Sequence, residues 1–148
     1  MLQPLFASGK PVIVTEFECR TYRGAESSGA MGFGIVDNKT LFLHSIPLLG
    51  RFVRPRLNGH YVLDEALQAR ELTETLGILD TAGVDGAFLL TFVSPIFPYD
   101  DNPRYDLDMN SFSLVKSYTG GKLGITYPDM PWEPKESFTA VADYYASH

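Results

Sequence analysis

The chain has 148 residues, enough for one domain that buries about two-thirds of its unfolded surface. A hydrophobic content of 45% and an aromatic content of 13% exclude a disordered chain. The net charge of −6, from 18 acidic and 12 basic residues, argues against a nucleic-acid partner, and no Lys/Arg block suits an anionic membrane.

No apolar run approaches the roughly 18 residues of a membrane span. The start, MLQPLFASGK, has neither the basic segment nor the apolar core of a secretory signal, so a soluble, cytoplasmic chain is expected. Residues 2–8 read as the end of a helix stopped by Gly9 and Pro11. Residues 11–17 form a strand in which Val12, Ile13 and Val14 suit burial on both faces. With a period of two, Glu16 falls on the side of Val12 and Val14, where a carboxylate must be paired or put to use. Residues 18–62 form a long irregular segment. GAESSGAMGFG is its most flexible part, with short strands expected at Phe33–Val36 and Thr40–His44.

Asp64 is placed to N-cap a helix running to about Ala82, with Ala66, Ala69, Leu72, Leu76 and Leu79 as its apolar stripe and Gly83 as its stop. A second strand follows at Gly86–Ser94. Strand, helix, strand is the βαβ signature of a parallel α/β pair. Another long loop, 95–134, precedes an amphipathic last helix carrying Phe138, Val141, Ala142 and Tyr145. Two buried parallel strands cannot cover their own faces and edges, so the pattern implies missing neighbours.

Cys19 is the only cysteine, which excludes an internal disulfide and reads as a small buried hydrophobe. His44, His60 and His148 lack metal-ligand spacing. Asp100, Asp101, Asp106 and Asp108 present hard oxygens but lack the glycine and closing glutamate of an EF-hand loop, which favours turn capping over calcium. Glu18 reads as a solvated or ion-paired loop residue, and Trp132 as the seal of the last helix.

PVIVTEF resembles the seventh strand of retaining glycoside hydrolases of the (β/α)8-barrel superfamily, in which that strand ends on the catalytic glutamate. GVDGAFLLTFVSP resembles the eighth strand and 64–82 the helix between them. NPRYDLDMNSFSLVK and TYPDMPWEPKESF resemble a group of uncharacterised barrel proteins, some labelled as abortive-infection proteins. The resemblance implies a partial (β/α)8 TIM barrel, α/β in class, made of the last two βα units with long loops. A full barrel takes about 250 residues, and this chain matches its final quarter.

The resemblance implies retaining hydrolysis of a glycosidic bond with Glu16 as nucleophile and no cofactor or metal. Arg20 and Tyr22, just beyond Glu16, would hold the carboxylate charged. Phe92 and Ser94 stand where the superfamily often places a tryptophan floor, and Tyr99 follows in the next loop as a sugar contact. No Asn-Glu pair is present, so the acid/base partner is expected outside the chain, and the chain acting alone is expected to be inactive. The expected partners are a carbohydrate or glycoside and a second copy or a complementing N-terminal barrel segment. Two alternatives remain open: a non-catalytic carbohydrate-binding or interaction protein on a degenerate barrel, and a standalone α/β domain whose loops supply extra strands. For Glu16 itself the alternative to catalysis is a structural ion pair with Arg20 or Arg23.

Overall fold

The computed structural model describes residues 6–27 and 34–148. Most of the helix expected over 2–8, and much of the GAESSGAMGFG stretch, lie outside these residues. The described residues form a mixed α/β structure with three α-helices and two small sheets, and no closed barrel.

Strand β1 (Ile13–Phe17) and strand β2 (Gly86–Leu89) pair in parallel across a helical crossover, as the βαβ pattern requires. β2 ends five residues earlier than expected. Among the described residues no third strand joins this sheet. The crossover contains helix α2 (Glu65–Thr81), whose N-cap Asp64 accepts from the Leu67 N–H at 3.0 Å. Gly83, at φ +76°, supplies the left-handed residue that closes it. Its buried stripe is Leu67, Gln68, Leu72 and Leu76; Ala66 of the expected stripe is exposed. Leu72 and Leu76 meet Phe17, Cys19 and Val141, and each buried leucine stabilises by about 1.5–3 kcal/mol.

Helix α1 (Asn38–Ser45) replaces the strand expected at Thr40–His44. Asp37 caps it, accepting from the Lys39 and Thr40 N–H groups at 3.0 and 3.4 Å. Of the strand expected at Phe33–Val36, the described part shows one isolated bridge, Val36 to Leu57. The loop after β2 holds a 3-10 turn (Leu107–Asn110) and a small antiparallel pair, β3 (Val115–Ser117) with β4 (Trp132–Pro134). Helix α3 (Glu136–Ser147) then packs on α2. Its inward residues include Ser137, Val141 and Tyr144; the expected Ala142 and Tyr145 are exposed.

A second core lies under the long loops, where Tyr22, Ile35, Val36, Leu57, Phe97, Leu107 and Met109 cluster. Between the two cores runs a buried polar network. Lys135 Nζ lies 2.8 Å from Asp108 Oδ2 and donates to Thr21 Oγ1 at 2.9 Å and Ser111 Oγ at 3.1 Å. Ser111 also donates to Asp108 Oδ1 at 3.0 Å. Gln68 bridges from α2, donating to Cys19 O at 2.8 Å and Ser113 O at 3.3 Å.

Asp106 borders this network. Burial first, then the Asp108 charge, pushes its carboxyl from 3.8 up to about 7, against the pull of Lys135. The folded carboxyl therefore keeps a proton that an unfolded aspartate has lost. Its contribution to stability is complete below about pH 4 and is lost as pH rises through about 7. We expect Asp106→Asn, which keeps the acceptor for Asp108 N–H and mimics the protonated form, to equal wild type near pH 4 and to exceed it at pH 8. Urea unfolding at the two pH values checks this; a gap that does not change with pH would contradict it.

Candidate functional site

Strand β1 carries an irregularity that decides where Glu16 points. Val14 pairs with Ala87 and Phe17 with Leu89, so Thr15 and Glu16 together stand opposite Phe88 alone. All four bracketing side chains, Val14, Phe17, Ala87 and Leu89, pack into the helix-side core. Neighbours along a strand face opposite ways, so Glu16, beside Phe17, shares the other face with Ile13 and Phe88. The simple alternation that grouped Glu16 with Val12 and Val14 is thus overturned by one extra residue. Bulges of this kind are uncommon in parallel pairs and re-aim a side chain.

That face is open. Phe88 is 63% exposed and Ile13 53%, with Leu90 and Phe92 also exposed beyond the end of β2. Parallel strands are ordinarily covered on both faces, and here one lies bare with a carboxylate at its C-terminal end.

Glu18 is the missed member of the site. One of its oxygens, Oε2, is buried with no hydrogen-bond partner among the described residues. Burial raises its pKa, and the Glu16 charge and a hydrogen bond with Glu16 raise it further, while Arg20 opposes. As pH falls Glu18 takes up its proton earlier than a solvated glutamate does. The sequence signal was there in the i, i+2 spacing, which puts both carboxyls on one side of extended chain.

The segment after Glu16 is held from three directions. Gln68 binds the Cys19 carbonyl, Asp64 N–H donates to Thr21 O at 3.0 Å, and Thr21 N–H donates to Met109 O at 3.3 Å. Such support fixes the carboxyl pair without touching it.

The other expected site residues are scattered. Arg20 is 3% exposed, with its guanidinium 4.9 Å over the Phe112 ring, and its charge partly offsets the burial that raises the Glu18 pKa. Tyr22 is 5% exposed, edge-on to Tyr61 at 5.3 Å, and belongs to the loop core with no face for a substrate. Phe92 joins an aromatic cluster, 5.3 Å from Trp132, and Trp132 in turn meets Phe138 of α3 at 6.4 Å. Trp132 thus ties the last helix down, as its position suggested. The Ser94 carbonyl accepts from Ser117 Oγ at 3.0 Å. Tyr99 lies apart, in a cleft with Arg54 and Asp100.

Cys19 is buried, and burial pushes its thiol up to about 11, which makes it a poor nucleophile. Two aspartates of 100–108 serve turns, Asp100 accepting from Asn102 N–H at 2.8 Å and Asp106 from Asp108 N–H at 3.2 Å, whereas Asp108 pairs with Lys135 and Asp101 with Lys122. Among the described residues no helix is long and apolar enough to cross a membrane.

Comparison with protein-family models and with curated proteins returned no match for this chain.

Proposed function

We propose that this chain is the C-terminal portion of a (β/α)8 glycosidase-like protein in which Glu16 is the nucleophile of a retaining glycosidic cleavage. The single observation that carries this reading is Glu16 on the bare face of a parallel strand pair, at its C-terminal end. In a closed barrel that face is the interior and that end is the mouth. The exposed Ile13 and Phe88 support a sheet that expects further strands, against a self-contained domain.

In this reading Glu16 attacks the anomeric carbon, the bond from that carbon to the leaving oxygen breaks, and a glycosyl ester forms on the carboxylate. Water then hydrolyses the ester with retention. Glu18 stands two residues along on the same segment, its own pKa raised by burial and by the Glu16 charge. It does not replace a general acid, which must reach the leaving oxygen from across the pocket, and that group lies outside the chain.

This division of labour is testable by leaving group. Dinitrophenolate departs without a proton, whereas an alkoxide does not. The chain acting alone, inactive wherever the leaving group needs an acid, is expected to release 2,4-dinitrophenol from at least one of the gluco-, galacto- or manno-configured 2,4-dinitrophenyl glycosides, tried as both anomers, and to leave the matching methyl glycoside intact. Release from neither class contradicts the proposal. Equal rates on both contradict the absent acid.

A further inference from the structure

The two long segments that follow β1 and β2 enclose a cavity that Glu16 does not line. It measures about 500 Å³, within the range of small-molecule sites. Its walls include His44 of helix α1 together with Arg54, Pro98, Tyr99, Asp100 and Tyr105 from the two long segments. The loops are stitched together behind it by Leu57 N–H donating to Arg104 O at 2.9 Å, and Tyr99 is fixed by its own N–H to Ser117 O at 2.9 Å. The cleft is thus held by backbone bonds on both sides.

Its polar groups are prearranged. Arg54 forms an ion pair with Asp100 across the two loops, and its guanidinium lies 4.3 Å over the Tyr105 ring. Asp100 is held in turn, its N–H donating to Asp106 Oδ1 at 3.3 Å. His44 Nδ1 is engaged by the Val53 carbonyl at 2.8 Å, which leaves Nε2 as the nitrogen that can meet a ligand.

We infer that this cleft binds a neutral, hydroxyl-rich ring with an apolar face, a pyranoside. The charge of Arg54 is already offset by Asp100, so a phosphate or carboxylate gains little from the guanidinium and meets the aspartate. The same pair offers N–H donors beside carboxylate acceptors, the combination that hydroxyl groups use. Tyr99, Tyr105 and the proline wall supply the flat apolar surface that covers the carbon face of a sugar. The inference deepens the glycosidase reading by giving its substrate a second surface, one that stands or fails separately from Glu16.

The test is an ¹H–¹⁵N titration of the full chain with 4-nitrophenyl α- and β-D-glucopyranoside, with inorganic phosphate as the charged comparison. Saturable shifts are expected at the amides of His44, Tyr99 and Tyr105 with one anomer, unaffected by Glu16→Gln. Tyr105→Ala and Arg54→Met, each checked for an otherwise unchanged spectrum, should weaken binding at least tenfold, about 1.4 kcal/mol. Phosphate should neither bind there nor compete. The inference is overturned by the absence of saturable shifts in the cleft, by displacement with phosphate, or by binding that both cleft variants leave intact. Shifts confined to residues 13–18 and lost in Glu16→Gln would overturn it too, while leaving the nucleophile reading in place.

Discussion

Lys135→Met is expected to destabilise the chain by about 3–5 kcal/mol, the cost of leaving a buried charge without its partner. Lys135 and Asp108 have side chains with no exposed surface, and the ammonium faces three oxygens, from Asp108, Thr21 and Ser111. Methionine fills much of the same volume, so the loss isolates charge from packing. Domains of this size are stable by about 5–15 kcal/mol, so the variant should sit close to unfolding at room temperature. Adding Asp108→Asn removes the stranded carboxylate and should restore much of the loss. Equilibrium urea unfolding of the two single variants and the double variant reads this directly. A loss below about 1 kcal/mol for Lys135→Met, the range of an exposed pair, would contradict the buried network.

Glu16→Gln is expected to reduce turnover of the best dinitrophenyl glycoside by about 10⁴- to 10⁶-fold, the scale of losing a covalent nucleophile. The side chain is exposed on the open sheet face, so the substitution should leave the unfolding midpoint nearly unchanged. A second readout shows whether the residue sits where the account places it. The Glu16 charge and its hydrogen bond both raise the pKa of Glu18, so Glu18 should titrate lower in the variant. Activity that survives the substitution would remove Glu16 from the chemistry. A Glu18 that does not move would remove it from the site.

What could be read from residue order was what short-range periodicity controls. Helix α2 is legible because leucines recur at three and four between an aspartate cap and a glycine stop, and β1 and β2 because β-branched and apolar runs flank it. The parallel pairing follows from that order. The 40–44 segment misled because Leu41, Phe42 and Leu43 form a continuous apolar run that suits a strand; the signal that decides otherwise is Asp37, whose side chain caps the first turn. Strands β3 and β4 are three residues each and too short for any period to register.

Residue order singles out Glu16 as a candidate but does not carry the geometry around it. The orientation of Glu16 depends on one bulge, which no alternation pattern announces. Lys135 follows Pro134 at a helix start, and nothing in the residue order marks it as buried. Its partner Thr21 lies 114 positions away, and only the closed fold brings the two together. Tyr22 had a position suited to a sugar contact, but the bridge to Leu63 and the ring of Tyr61 draw it inward.

The most direct measurement of the central claim is intact-mass and peptide analysis of the full chain after exposure to 2,4-dinitrophenyl 2-deoxy-2-fluoroglycosides. The dinitrophenolate leaves without help from an acid, and fluorine slows hydrolysis of the resulting ester, so the sugar stays on whichever carboxylate attacked. One fluoroglycosyl group per chain, located on Glu16, is the result predicted. An unmodified chain, or a sugar attached to any other residue, would contradict it.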